Sequence, residues 1–205
     1  LGLTSCKDCD LGTHEPDSGS TACDTCNKGT ASNEPKSTVT NCPSCLAGTY
    51  ADVEGLTVCK DCRQGKTEGG TGSEGCDPCA LGHASEELKD TDAECDPCTT
   101  GRFADVFGLS TCKQCTAGQY ADVQGGHNCS QSPKGHTVNT DHTAITPCLA
   151  GTFADSKGLP SCKDCLPGTT EHNQGSFGCT PCAQGHSNAA TANTNIHCGK
   201  SKKSC

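Results

Sequence analysis

Large apolar side chains are nearly missing from this chain. It has no Trp and no Met, and its aromatic residues are two Tyr and four Phe. Leu, Ile, Val and Phe together supply only 23 of 205 residues. So little apolar surface cannot offset the entropy of ordering the backbone, and without cross-links the composition is that of a disordered chain. No stretch approaches the roughly 18 apolar residues that a bilayer span needs, so no membrane span is expected. Positive charge is scarce as well: 15 Lys and Arg against 24 Asp and Glu leave a net charge of −9. Nucleic acid is excluded as a partner on that ground, because phosphate recognition needs a basic surface. The one basic run, GKSKKSC at 199–205, reads as a solvated tail. No signal peptide is visible and the chain opens at Leu1, so a processed or partial secreted chain is expected.

What the chain has instead is cysteine, 22 residues in all. That density belongs to a disulfide scaffold in an oxidising compartment, so the expected location is extracellular, secreted or at the cell surface. The cysteines come as Cys-x-x-Cys pairs whose first members, Cys6, Cys23, Cys42, Cys59, Cys76, Cys95, Cys112 and Cys129, recur every 17 or 19 residues. The series resumes with Cys162, Cys179 and Cys198. A glycine follows three residues after almost every second cysteine, as in Gly12, Gly29 and Gly48. Such self-similarity indicates stacked modules.

Between Cys6 and Cys182 two cysteines are missing from the pattern, at Ser132 and Ile145. If the second cysteine of each pair bonds the first of the next, the bridges are Cys9–Cys23, Cys26–Cys42, Cys45–Cys59, Cys62–Cys76, Cys79–Cys95, Cys98–Cys112, Cys115–Cys129, Cys148–Cys162, Cys165–Cys179 and Cys182–Cys198. The omitted bridge would join positions 132 and 145, so one bridge is lost whole and no thiol is stranded. The paired absence favours this connectivity, which spacing alone does not normally fix.

A longer period lies above the modules. The loops CLAGTYADVEGLTVC, CTTGRFADVFGLSTC and CLAGTFADSKGLPSC, at 45–59, 98–112 and 148–162, open super-repeats of about 53 residues. The divisions are then a partial super-repeat at 1–44, super-repeats at 45–97, 98–147 (lacking one bridge) and 148–198, and the tail at 199–205. Asp52 to Gly55, Asp105 to Gly108 and Asp155 to Gly158 have the Asp and Gly spacing of a type I β-turn. Tyr50, Phe103, Tyr120 and Phe153, with Leu56, Leu109 and Leu159, are expected to pack on the disulfides. Each bridge closes a loop worth about 3 kcal/mol in the chain-entropy model. No segment has sustained helical periodicity. The fold class is therefore a small disulfide-rich repeat protein: an elongated rod or solenoid of tandem single-disulfide loops with short β-hairpins and little or no helix.

The pattern C-x-x-G-[TQ]-[YF]-A-D-x-x-G-x-x-x-C-x-x-C, clearest at 45–62, 98–115, 115–129 and 148–165, resembles the ephrin-receptor-like cysteine-rich repeat. It is also similar to the single-bridge module of tumour-necrosis-factor-receptor domains. The resemblance implies an extracellular, non-catalytic rod with the pairing deduced above, of the kind used in stalks, adhesion modules and coats. The chain lacks the interleaved two-bridge module of the receptor domains.

Chemistry is weighed against this frame. Cys-x2-Cys-x13-Cys-x2-Cys has the spacing of a four-cysteine zinc site, but zinc sites use whole Cys-x-x-Cys units, whereas here one member is lost from each of two units. Neither a metal nor another cofactor is expected. His83, His136 and His186, after the glycines of the longer modules, read as solvent-facing repeat positions. Asp52, Asp105, Asp122 and Asp155 read as turn caps, not calcium ligands. Bridged cysteines are not nucleophiles, so no enzyme is expected. Asn128-Cys129-Ser130 is an N-glycosylation sequon. Thr137, Thr140, Thr143 and Thr146, in the unbridged loop, are candidates for O-glycans.

Cys6 and Cys205 are left over, one near each end. They are candidates for intermolecular bonds that join copies head to tail, and non-closing contacts of that kind make filaments. Cys6 equally has the register to end an upstream module. The expected function is an extracellular structural protein that assembles with itself into a fibre or surface coat. The alternative is a stalk or ligand-binding ectodomain segment of a receptor or adhesin.

Overall fold

The computed structural model describes residues 8–17, 20, 22–35, 41–188 and 197–200. No helix occurs among them, and therefore none is long and apolar enough to cross a membrane. They form ten two-stranded sheets, each a hairpin between neighbours in sequence. Thr13–His14 with Asp24–Thr25 is the first, and His186–Ser187 with Gly199–Lys200 the last. The module at 26–42 has only the isolated bridge Thr30 to Ser44. Ten disulfides join Cys9–Cys23, Cys26–Cys42, Cys45–Cys59, Cys62–Cys76, Cys79–Cys95, Cys98–Cys112, Cys115–Cys129, Cys148–Cys162, Cys165–Cys179 and Cys182–Cys198. Strands of two residues have too few hydrogen bonds to persist alone, so the disulfide that closes nine of the ten hairpins holds the pairing.

The sequence around each strand explains its shape. Every C-x-x-G segment is a tight turn, as where Thr49 N donates to Leu46 O at 3.0 Å. Glycine sits at the third place with positive φ, as in Gly48 at 76°, which is the type II requirement. Where threonine follows the glycine its hydroxyl clamps the same carbonyl, as from Thr49 and Thr152 at 2.7 and 2.8 Å. At the hairpin tips the structure departs from the type I expectation. The turns centre on Glu54–Gly55, Phe107–Gly108 and Lys157–Gly158, with glycine third and left-handed at φ 74°, 74° and 70°. The glycine carbonyl is thereby turned toward an earlier module.

The chain divides into two compact units: residues 1–96 with 106–111, and residues 97–105 with 112–205. In the first unit Gly29 N donates to Ala51 O and Gly65 N to Ser85 O, each in the next module. Tip residues donate back, Gly55 N to Cys26 O and Gly72 N to Cys45 O, at 2.8 and 2.7 Å. Contacts also skip a module: a methyl group on Gly65 would lie 2.2 Å from the carbonyl oxygen of Gly108. The second unit repeats the scheme, with Gly101 N to Ala121 O and Gly175 N to Cys148 O, both 2.8 Å. There a methyl group on Gly118 would lie 2.0 Å from Gly158 O.

These approaches leave no room inside for large apolar side chains among the described residues. The buried apolar residues among those described are cysteines and alanines, with Ala51, Ala104 and Ala154 fully enclosed. Tyr50, Phe103 and Phe153, and the leucines after the tips, are only half-buried. The small alanine of the G-x-[YF]-A-D motif, not the aromatic before it, fills the interior.

The module without a bridge keeps its place by other bonds. Ser132 is fully buried, and its N donates to Gly118 O at 2.9 Å, the bond that Cys115 N makes to Gly101 O. The hairpin is longer here: His136, Thr137 and Val138 face Pro147, Thr146 and Ile145. Asn139 ties the loop, its Oδ1 accepting from the backbone N–H of Thr143 and Ala144 at 2.9 and 3.1 Å.

Two outcomes follow for non-reducing denaturant unfolding. Gly118→Ala combines a left-handed φ with a backbone clash and should cost about 2–4 kcal/mol. Gly168→Ala, which shares the φ but meets nothing within 4 Å, should cost only about 1 kcal/mol. Equal losses would contradict the close-approach account. The double change Ser132→Cys with Ile145→Cys should form an eleventh bridge, seen as a 2 Da mass loss, and add up to about 3 kcal/mol.

Candidate functional site

The functional surface is a set of positions that recur from module to module. On three modules an exposed ion pair crosses the hairpin: Lys60 to Asp52 at 2.5 Å, Lys113 to Asp105 at 2.6 Å, Lys163 to Asp155 at 2.8 Å. The lysine begins the returning strand and the aspartate follows the buried alanine, so alternation along the hairpin puts both outside. The ammonium hydrogen bond holds each of these three carboxyls below the ordinary aspartate range. Lys60 also lies over the Tyr50 ring, 5.9 Å from its centroid. With ammonium partners already in place, these aspartates are poor calcium ligands. The module at 115–129 carries Ser130 where the others carry lysine, and that serine completes the sequon.

The turns of the C-x-x-G segments expose leucine. Leu46, Leu149 and Leu166 are 72%, 55% and 69% exposed, and Phe107 and Phe177 are similarly open at hairpin tips. A fold with an interior of cysteine and alanine has nowhere to put them.

The histidines after the long-module glycines share one geometry. His83 Nδ1 lies 3.1 Å from Leu81 O, and His136 Nδ1 3.1 Å from Lys134 O. An Nδ1–H donated to a carbonyl leaves Nε2 as the acceptor. His14 stands where other modules have Tyr50 or Phe103. It is buried, with Nδ1 3.5 Å from Cys42 Sγ and Cys26 close by. Both sulfurs are bonded to each other, so neither is a thiolate able to hold a metal. His172 and His197, unremarked in the sequence, lie in ring contact with centroids 5.0 Å apart. They are 25 residues apart in sequence, and no local pattern signals the pair.

Of the modification candidates, Asn128 is exposed just before Cys129. Thr140 and Thr146 are exposed too. The Thr137 hydroxyl donates to Pro160 O at 3.0 Å, and the Thr143 hydroxyl accepts from Asn139 Nδ2 at 2.9 Å, so those two are engaged. Every cysteine among the described residues is bridged, and Cys6 and Cys205 lie outside them. Ten bridges in one short chain point to an extracellular or secretory setting. No family model matches the chain, and no curated protein matches it significantly.

The sign of the ion-pair effect fixes a pH test. A depressed carboxyl pKa contributes stability at pH values above the unfolded-state pKa, and that contribution is lost as pH falls through the folded value. In a ¹³C NMR titration, Asp52, Asp105 and Asp155 should reach half-protonation below the ordinary value of 3.8. Lys60→Gln should return Asp52 toward that value and leave the other two unmoved; a midpoint unchanged by the substitution would refute the pairing as the cause.

Proposed function

We propose that this protein is an extracellular structural element, a stack of disulfide-closed loops that assembles end to end into a fibre or surface coat. The observation that carries the reading is the sameness of the contacts between modules. Within each unit, glycine N–H groups donate forward and tip residues donate back at 2.7–2.9 Å, as in Gly48 to Glu68 and Gly72 to Cys45. An interface made of backbone groups depends little on side-chain identity, so each module adds to the last by the same chemistry. Repeat architectures of this kind gain stability from nearest neighbours and extend in one dimension.

Other features support the same role. All described cysteines are consumed in bridges, so none is a nucleophile, and the reading is non-catalytic. The exposed leucines at repeating turns give lateral contacts a regular foothold. The resemblance of the G-[TQ]-[YF]-A-D pattern to ephrin-receptor-like repeats fits rods and stalks. Copies of the same chain are the principal partner, linked through Cys205 of one and Cys6 of the next, with glycans at Asn128 and on the exposed threonines 140 and 146.

The chain run on a gel without reductant should give a ladder at multiples of 20.9 kDa that collapses to one band with thiol. Replacing Cys6 and Cys205 by serine should remove the ladder. A lone monomer band under both conditions, with no filaments in the electron microscope, would reject the fibre in favour of a receptor or adhesin stalk.

A further inference from the structure

The pair His172 and His197 has no part in the stacking scheme, yet the fold brings the two rings together. His172 lies in the loop of the module closed by Cys165–Cys179, four residues after Gly168. His197 immediately precedes Cys198, which closes the next module with Cys182. The corresponding junction in the first unit shows why they meet. There Gly69, four residues after Gly65, sits so close to the segment before Cys95 that a methyl group on it would lie 2.8 Å from Ala93 Cα. The same two segments thus approach each other at both junctions, and this one brings two imidazoles together.

We infer that His172 and His197 form a surface site for a borderline divalent transition metal ion, zinc, copper or nickel, which ties the last two modules together. The ring centroids are 5.0 Å apart with the planes tilted by 34°. Two imidazoles on one ion, with metal–nitrogen bonds of about 2.0–2.1 Å, have centroids about 4.5 Å apart in cis octahedral and about 5.2 Å apart in tetrahedral geometry. The observed separation falls between those limits, so loading needs only rotation of two exposed side chains about χ1 and χ2. Imidazole selects these ions over calcium and magnesium, which take oxygen ligands. Water fills the remaining positions.

Glu171, next to His172 in sequence, has its Oε1 engaged by the backbone N–H of Asn173 at 2.8 Å. Among the described residues His172 and His197 are the two histidines in ring contact, whereas His83 and His136 each stand alone with Nδ1 3.1 Å from a carbonyl. The one three-residue cluster among the described residues, His14 with Cys26 and Cys42, has its sulfurs bonded to each other.

The test uses the intact oxidised chain with Cys6 and Cys205 changed to serine, so that no thiol competes. Calorimetric titration with zinc should show one principal site per chain. His172→Ala and His197→Ala should each weaken it at least tenfold, while His83→Ala leaves it unchanged. Copper loading read by electron paramagnetic resonance should show two coordinated nitrogens, falling to one in either variant. Both side chains are exposed, so the variants keep the fold, checked by unchanged circular dichroism. Zinc affinity that is the same in His172→Ala, His197→Ala and the parent would overturn the site, as would a copper spectrum with the same nitrogen count in all three.

Discussion

The disulfide that closes nine of the ten hairpins is the constraint from which the rest follows. It holds strands of two residues in register and keeps each loop narrow enough for the backbone of one module to touch the next. At that separation the contacts are backbone to backbone, glycine amide to carbonyl, and the apolar side chains buried among the described residues are those of cysteine and alanine. The scarcity of large apolar residues is a consequence of this geometry. A leucine in place of Ala104 would need volume that this fully enclosed position does not have.

The module between Ser132 and Ile145 separates two roles that the bridge combines elsewhere. One is to close the loop, the other to place a backbone amide inside. Ser132 retains the second, donating to Gly118 O from a fully buried position with its hydroxyl unpartnered. The first passes to a longer strand pair and to the Asn139 side chain. A buried hydroxyl without a partner is a cost that a cysteine in a bridge does not carry, and the extra ladder rung offsets part of it. Bridges on both sides, Cys115–Cys129 and Cys148–Cys162, hold the neighbours between which this loop fits.

Outward-facing positions carry the variation. The same hairpin place is lysine at 60, 113 and 163 and serine at 130, which trades an ion pair for a sequon. Because the contacts between modules are mostly backbone to backbone, the surface is free to change charge, sugar acceptors or histidine content without disturbing the stack. The paired imidazoles at 172 and 197 are one such change, placed at a junction that exists in other copies of the repeat with other residues in it.

Periodicity made the repeat, the hairpins and the lack of helix legible before any coordinates, because Cys-x-x-Cys spacing and x-x-Gly turns are local features that a linear reading counts directly. The absence of cysteine at Ser132 and Ile145 was likewise plain. What the sequence left open is what depends on contact between residues 20 to 45 positions apart. That the enclosed residue is Ala51 and not Tyr50, that Gly65 must be glycine because Gly108 O lies against it, and that His172 meets His197 are all outcomes of packing. The tip turns show the same division: Asp52 and Gly55 announced a turn, but its type was chosen by the need to aim the glycine carbonyl at another module. Local spacing determined the modules; their mutual approach, at backbone contact distance, decided which side chains are inside, which are outside and which meet.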